Sequence, residues 1–195
     1  MTGSTTNGPS SPSSFTLPGN RSLVLVGLMG AGKSKVGRLA ATALGLPFVD
    51  ADHEIEAAAG CTVADYFKQY GEAAFRDGER KVMTRLLADS PRVIAAGGGA
   101  FMDEGTRAEI KAHGISVWLK ASLDVLVART KGRAHRPLLN QGEPAEILAR
   151  LMESRYPVYA MADITVESST DSPETTCEAV LKALADYRAR LGVAA

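Results

Sequence analysis

The chain has 195 residues, of which 45% are hydrophobic, and 22 lysines and arginines balance 22 aspartates and glutamates. This length suits one domain with a substantial core, and the zero net charge argues against a broadly basic nucleic-acid-binding protein or a polybasic membrane-surface protein. No apolar run approaches the roughly 18 residues that a membrane-spanning helix needs, so we expect a soluble protein.

The first 20 residues have a low-complexity composition. All but three of them are Ser, Thr, Gly, Pro or Asn, and none carries a charged side chain. Such a segment cannot bury enough apolar surface to offset its ordering entropy. It also lacks the basic start and apolar stretch of a secretory signal and the arginines of a transit peptide. We predict a disordered tail over 1–20 and one folded domain over 21–195.

Short apolar segments with the pattern of buried parallel strands follow the tail. They lie at 23–26, 48–50, 93–96, 115–119 and 164–166. Helical patterns alternate with them: one follows the first strand, and the others lie at 63–87, 104–112, 123–129, 145–156 and 173–191. This alternation predicts an α/β fold in which helices cover both faces of a parallel sheet.

Between the first predicted strand and the first predicted helix, residues 27–34 read GLMGAGKS and match the phosphate-binding pattern GxxxxGK[ST]. Glycines let the backbone N–H groups turn towards phosphate oxygens, and the positive end of the helix dipole adds to them. Lys33 would reach the β- and γ-phosphates, and Ser34 would bind Mg²⁺ directly. The nucleotide-binding residues predicted beside these two are Gly30, Ala31, Gly32 and Lys35.

Lys35 stands where many such loops carry a second hydroxyl residue, so we expect no side-chain hydroxyl contact to the α-phosphate from this position. A phosphate-binding loop also occurs in GTPases and in ATP-driven motors. The chain has no NKxD segment to recognise guanine, and its third predicted strand runs into Gly97, Gly98 and Gly99 rather than into an acidic pair. Both features disfavour these two classes.

Two carboxylates follow the second predicted strand. Because side chains alternate in direction along a strand, Asp50 and Asp52 could address different ligands. One could hold a water molecule on Mg²⁺ while the other accepts a hydrogen bond from a substrate hydroxyl. Alternatively, Asp52 could simply be the N-cap of the helix that follows.

Residues 129–136 read RTKGRAHR and carry four positive charges without an acidic residue. A segment of this charge beside a nucleotide suits a lid that closes on the phosphates and expels water; a solvated surface loop is the alternative. Spacing alone identifies no partner for Arg76 or Arg155, and isolated arginines are more often surface ion-pair residues than ligands.

Six segments taken in order, GLMGAGKS, FVDAD, AAFRDGERK, AAGGGA, RPLL and ESRYPVY, closely resemble shikimate kinase over about residues 22–159. The resemblance implies the nucleoside-monophosphate-kinase-like P-loop fold, with five parallel strands in the order 2-3-1-4-5 and a mobile lid at about 130–143. It also implies transfer of the γ-phosphate of ATP to the 3-hydroxyl of shikimate, in the pathway to aromatic amino acids.

The resemblance further implies how the substrate is bound. Asp52 would bind the hydroxyls of shikimate, and Arg76 and Arg155 would bind its carboxylate. Gly98 and Gly99 would line the pocket through their backbone. Arginines suit a planar carboxylate because their donors are forked, and glycines let the backbone approach a ligand closely.

The remaining implied roles concern ATP and Mg²⁺. Asp50 resembles the residue that holds a Mg²⁺-bound water in the family. Arg136 resembles the lid arginine that contacts the transferring phosphate, and Arg129 resembles the arginine that stacks on adenine. The loop at about 167–173 would complete the adenine pocket. The implied catalytic set is Lys33 and Arg136, which supply charge, and Asp52, which orients the attacking hydroxyl.

Two alternatives stay open at the level of sequence. Another small-molecule kinase of this fold, such as a gluconate kinase, is disfavoured by the ordered FVDAD, GGG and RPLL segments. A catalytically inactive nucleotide-binding regulator is disfavoured by the intact Lys33, Asp52 and Arg136. We expect a monomer, as is common in the family, that binds shikimate and ATP and neither nucleic acid nor membrane. The widely separated Cys61 and Cys177 favour a reducing cytoplasm.

Overall fold

The computed structural model describes residues 17–131 and 142–192. The strands in these ranges form a parallel sheet and are β1 (Ser22–Val26), β2 (Phe48–Asp50), β3 (Val93–Ala95), β4 (Gly114–Lys120) and β5 (Ile164–Glu167). Their spatial order is β2-β3-β1-β4-β5. The predicted fold class and strand order are therefore confirmed.

The α-helices of the described residues surround this sheet. They are α1 (Lys33–Leu44), α2 (Ala51–Ala59), α3 (Val63–Ala88), α4 (Glu104–His113), α5 (Leu123–Thr130), α6 (Pro144–Tyr159) and α7 (Pro173–Arg190). Helix α1 packs against α7 and β3, whereas α4 packs against α3 and β4. No helix of the described ranges is long and apolar enough to span a membrane.

Strand β1 lies at the centre of the sheet, between β3 and β4. Its residues 22–26 are at most 1% exposed, which explains why the sequence shows a continuous apolar run instead of an alternating one. Leu17, inside the segment predicted to be a tail, is also buried and packs in the core. The burial of β1 holds the loop that follows its carboxyl end against a rigid sheet.

Helix α2 begins immediately after β2, and this changes the interpretation of the two carboxylates there. Asp50, not Asp52, is the N-cap, because Asp50 Oδ1 accepts a hydrogen bond from Asp52 N at 3.2 Å. The alternative prediction that Asp52 caps the helix is therefore wrong. Asp52 lies in the first turn of α2, so its carboxylate is available to the cleft described below.

Helix α6 extends further than its sequence pattern predicted. The prediction ended the helix at Tyr156, but the helix continues through Pro157 to Tyr159. Proline removes one backbone donor from a helix interior, and the Glu153 carbonyl that loses this donor belongs to an exposed residue that water can reach. The extension adds one turn beyond Arg155.

Asp103 joins α3 to α4 and yields a prediction about stability. Its carboxylate accepts hydrogen bonds from Arg80 Nε at 3.1 Å and Nη2 at 2.8 Å, and it caps α4 through Thr106 N at 2.8 Å. Because an N-cap is lost, we expect Asp103→Ala to lower the free energy of unfolding by about 1–2 kcal/mol at pH 7. Urea denaturation measures this difference, and an unchanged midpoint would contradict it.

The stabilisation by Asp103 should also depend on pH. Arg80, followed by the donors of Thr106, holds the pKa of Asp103 well below its usual range. A carboxyl with a lowered pKa in the folded state stabilises fully above its unfolded pKa of about 3.9, and this stabilisation is lost as the pH falls through the folded value. The difference between the wild type and Asp103→Ala should therefore shrink at strongly acidic pH.

Candidate active site

The carboxyl ends of the central strands open onto a cleft of about 1180 Å³. Most of the residues predicted for the site line it. They are Gly30, Gly32, Lys33, Ser34, Lys35, Asp50, Asp52, Arg76, Gly98, Gly99, Arg129 and Arg155. Ala31 lies behind this surface and is 1% exposed. Arg136 and most of the predicted lid, 132–141, lie outside the described residues.

The loop between β1 and α1 has the backbone that a phosphate-binding loop requires. Gly30 and Gly32 have φ angles of 85° and 97°, in the region that residues with a side chain rarely adopt. Lys33 crosses the loop, and its Nζ donates to the carbonyls of Gly27 at 2.8 Å and Leu28 at 3.1 Å. Consecutive N–H groups at a helix N-terminus, with a lysine above them, can surround an anion.

Ser34 and Asp50 bring two oxygen ligands together beside this loop. Ser34 Oγ donates to Asp50 Oδ2 at 2.6 Å, so a hydroxyl and a carboxylate oxygen already share one location. Mg²⁺ prefers oxygen ligands and keeps several waters or phosphate oxygens, so one or two protein ligands suffice. Within 17–131 and 142–192, no group of three or more His, Cys, Asp and Glu residues that could hold a metal is found. The pair fits Mg²⁺ bound together with a nucleotide.

Asp52 lies in the wall of the cleft between the phosphate-binding loop and the turn after β3. The surrounding protein desolvates its carboxylate and raises its pKa, the charge of Lys33 acts in the opposite direction, and the charge of Asp50 adds to the rise. Gly97 makes the room for this carboxylate, because a Cβ there would lie 2.7 Å from Asp52 Oδ1. The same Cβ would lie 2.7 Å from Glu79 Oε1. Glycine at 97 therefore permits two carboxylates in one small space.

Arg76 is held in place by acidic and aromatic neighbours. Its Nη1 donates to Glu79 Oε2 at 2.7 Å, and Glu79 is only 2% exposed. Its guanidinium lies 5.3 Å from the ring of Phe75 and 6.0 Å from that of Phe67. Desolvation raises the pKa of Glu79, and the ion pair with Arg76 opposes this rise. Gly99 again provides space, because a Cβ there would collide with Arg76 Nη1.

Arg155, on α6, reaches the neighbouring glycine, Gly98. Its Nη1 donates to the Gly98 carbonyl at 2.9 Å. The hydroxyl of Tyr159, one helical turn further along α6, donates to the same carbonyl. The guanidinium groups of Arg155 and Arg76 therefore lie at two consecutive glycines, Gly98 and Gly99.

Arg129 connects three parts of the nucleotide side of the cleft. Its Nη1 donates to Ser168 Oγ at 3.0 Å and to the Gly30 carbonyl at 3.4 Å, and its Nη2 donates to the Ser169 carbonyl. Ser168, which is buried, donates in turn to the Ala31 carbonyl at 2.9 Å. Arg129 thus lies between the phosphate-binding loop and the loop after β5. Its stacking on adenine stays a prediction.

Sequence reasoning missed four residues of this arrangement: Glu79, Gly97, Tyr159 and Ser168. A local signal existed for Glu79, which follows the candidate ligand Arg76 by three residues on one helix face. Gly97 belongs to the glycine run 97–99, in which the family resemblance implies a role for Gly98 and Gly99 alone. No local signal existed for the contact between Ser168 and Ala31, because these residues are 137 positions apart.

Comparison with known proteins identifies the family. The family model for shikimate kinase matches residues 29–185. A shikimate kinase of Paramagnetospirillum magneticum is 61% identical over 167 residues, which cover 86% of this chain and 86% of that protein. The structure of a shikimate kinase from Acinetobacter baumannii in complex with shikimate is 36% identical, with a TM-score of 0.83, and the match covers 88% of this chain and 94% of that one.

A gluconokinase from Sinorhizobium meliloti is less similar. Its structure is 22% identical with a TM-score of 0.55, and the match covers 88% of this chain and 95% of that one. This likeness shows a common fold alone. The family resemblance found in the sequence is thus confirmed, and the chain belongs to the shikimate kinase family, whose members are ATP-dependent kinases.

Proposed function

We propose that this chain transfers the γ-phosphoryl group of ATP to the 3-hydroxyl of shikimate, giving shikimate 3-phosphate and ADP in the pathway to chorismate and aromatic amino acids. The observation that carries this proposal is the approach of Arg76 and Arg155 to adjacent glycines in the cleft that also holds Asp52 and the phosphate-binding loop. Shikimate combines one carboxylate with several hydroxyls. The guanidinium groups of Arg76 and Arg155 complement the carboxylate of shikimate. The carboxylate of Asp52 complements its hydroxyls.

The phosphate side of the site works by positioning and by charge. Lys33 would exchange its carbonyl partners Gly27 and Leu28 for phosphate oxygens when ATP binds. Ser34 would bind Mg²⁺ directly, and Asp50 would hold it through a water molecule. When bound, Mg²⁺ neutralises charge on the β- and γ-phosphates. In a loose phosphoryl-transfer transition state, such preorganised charge accounts for most of the catalysis.

The acceptor side orients the hydroxyl that attacks. Asp52 would accept a hydrogen bond from the 3-hydroxyl and so direct its oxygen at the γ-phosphate. The raised pKa of Asp52 makes it a better proton acceptor than an ordinary aspartate. Because a loose transition state needs little base assistance until late, orientation comes first and proton removal follows.

Other roles in the proposal extend beyond this central set. Gly98 and Gly99 would contact shikimate through their backbone, and Arg129 would stack on adenine. Arg136, outside the described residues, would contact the transferring phosphate from the lid, as the family resemblance implies. We also propose a cytoplasmic monomer; the two cysteines, Cys61 and Cys177, are both thiols in the structure, which suits a reducing compartment.

Removing either arginine of the carboxylate pair should weaken shikimate binding. We expect Arg76→Ala and Arg155→Ala to raise the KM for shikimate roughly 10- to 100-fold, because each loses a charge-assisted hydrogen bond to a group that does not react. The KM for ATP should change little, and kcat should fall less than the KM rises. Steady-state kinetics with each substrate varied in turn measure all three quantities.

Arg80→Ala provides the matched control for Arg76→Ala. Arg80 lies one turn further along α3 but pairs with Asp103 rather than with a residue of the cleft. Its removal should leave the KM for shikimate unchanged. An unchanged KM in Arg76→Ala and Arg155→Ala as well would remove both arginines from the carboxylate site.

A further inference from the structure

Tyr159 is a buried polar residue that the proposed mechanism does not use. Its side chain is fully buried, and its ring is held among other aromatic rings. The ring centroids of Phe101, Trp118 and Tyr156 lie 6.3, 6.0 and 6.3 Å away. A ring enclosed in this way keeps its hydroxyl in one place, which is the requirement for orienting another group.

The hydroxyl of Tyr159 and the guanidinium of Arg155 converge on one acceptor. Residues four apart on a helix lie on the same face, so both side chains of α6 point at the turn after β3. Each donates to the carbonyl of Gly98, Arg155 through Nη1 at 2.9 Å. The carbonyl oxygen has two lone pairs and can accept both donors. Tyr159 thereby fixes the acceptor on which Arg155 rests.

The Gly98 carbonyl also determines the direction of the next N–H group. A peptide unit is planar and trans, so the carbonyl of Gly98 and the N–H of Gly99 point in opposite directions. Holding the carbonyl towards α6 turns the N–H of Gly99 away from α6. Gly99 is the residue at which a Cβ would collide with the guanidinium of Arg76. The orientation of one peptide unit therefore links the two arginines of the carboxylate site.

We propose that the Tyr159 hydroxyl is a positioning group for the carboxylate of the acceptor substrate, acting through the Gly98 carbonyl on Arg155 and on the peptide between Gly98 and Gly99. This inference rests on the proposed function, which assigns that carboxylate to Arg76 and Arg155. Tyr159 itself touches neither substrate in this arrangement.

The protonation state of Tyr159 agrees with this role. Burial raises the pKa of its hydroxyl to about 12, with the nearby charge of Arg155 acting in the opposite direction. The hydroxyl therefore remains a donor throughout the pH range in which a kinase assay is run. No titration of Tyr159 should appear in the pH profile of shikimate binding.

Tyr159→Phe tests the inference because it removes the hydroxyl and keeps the ring. We expect the Kd and the KM for shikimate to rise roughly three- to tenfold, as the loss of one hydrogen bond predicts. The kcat should stay within about twofold, and the KM for ATP should be unchanged. Calorimetric titration counts only sites that bind, so partial unfolding lowers the stoichiometry and leaves the Kd measurable.

Tyr156→Phe is the matched control. Tyr156 lies on the same helix, packs against Trp118, and donates its hydroxyl to the Ala121 carbonyl instead of to the turn after β3. Both variants lose one hydroxyl with a main-chain partner. Only Tyr159→Phe should alter the affinity for shikimate.

A second substrate separates positioning from a general structural effect. The methyl ester of shikimate keeps the hydroxyls and lacks the negative charge. Tyr159→Phe should lower kcat/KM for shikimate three- to tenfold and leave kcat/KM for the ester nearly unchanged. An equal loss of kcat/KM with both substrates, or no loss with either, would overturn the inference about Tyr159. The proposed function would still stand in that case if the wild-type protein phosphorylates shikimate. A wild-type protein that does not phosphorylate shikimate would overturn both.

Discussion

Lys33→Ala is expected to lower kcat at least about 100-fold, with shikimate and Mg²⁺-ATP both saturating. The charge that develops on the transferring phosphoryl group must be met by donors already in position, and removing one such donor typically costs about 10²–10³ in rate. Lys33 stands at the first turn of α1, and its ammonium group bridges the two ends of the loop by donating to Gly27 and Leu28. A coupled assay of ADP release measures kcat directly.

The control for Lys33→Ala is Lys182→Ala. Lys182 is exposed on α7, pairs with Asp186 at 2.8 Å and is not among the residues that line the cleft, so its loss removes an equal charge outside the site. Wild-type turnover is expected for this control. A Lys33→Ala enzyme that kept more than about a tenth of the wild-type kcat would remove Lys33 from the catalytic set.

Asp52→Asn should produce a loss of kcat of the same order or larger, about 10²–10⁴-fold. The amide keeps the shape of the side chain but takes up no proton, and it presents a donor where the attacking hydroxyl requires an acceptor. Asp52 is also the carboxylate that packs over Gly97, so the isosteric change is preferable to alanine. Asp186→Asn, on the exposed face of α7, is the corresponding control.

The pH dependence of kcat/KM for shikimate gives an independent check on Asp52. Its carboxylate must be ionised to accept the hydroxyl hydrogen bond, and desolvation raises its pKa in the folded protein. Activity should therefore fall on the acid side with a midpoint above the ordinary aspartate value of about 3.9. The residual activity of Asp52→Asn should lack this acid limb. An identical acid limb in both proteins would assign it to another group.

The sequence predicted the sheet and the phosphate-binding loop because both depend on local pattern. Strand β1 is covered on both faces, so a continuous apolar run is its direct signature. The GLMGAGKS segment requires glycines at positive φ, and Gly30 and Gly32 adopt that conformation. Such features need no knowledge of distant contacts.

The supporting contacts of the acceptor site were not predictable in this way. Arg155 and Tyr159 meet Gly98 across 57 and 61 positions of sequence. The helical pattern predicted for α6 ends at Tyr156, so it does not place Tyr159 on one helix face with Arg155. The Asp52 and Glu79 carboxylates fit side by side because Gly97 has no Cβ to occupy the space between them. Only the folded arrangement reveals these relations.

The zero net charge of the chain likewise conceals a local distribution. Lys33, Arg76, Arg129 and Arg155 all line one cleft, where phosphates and a carboxylate would be bound. The carboxylates of Asp52, an exposed residue, and of Glu79, a buried one, share that space with them. An average over the chain therefore says little about the charge that a substrate meets.

ADP release from Mg²⁺-ATP, with shikimate, gluconate and nucleoside monophosphates supplied in parallel as acceptors, distinguishes the proposed activity from its alternatives. We expect turnover with shikimate alone, and phosphorus NMR of the product should show a phosphate ester at the 3-hydroxyl. Turnover with gluconate or a nucleoside monophosphate in place of shikimate would contradict the assignment of Arg76, Arg155 and Asp52 to the acceptor. Absence of turnover with every acceptor would contradict the proposed activity itself.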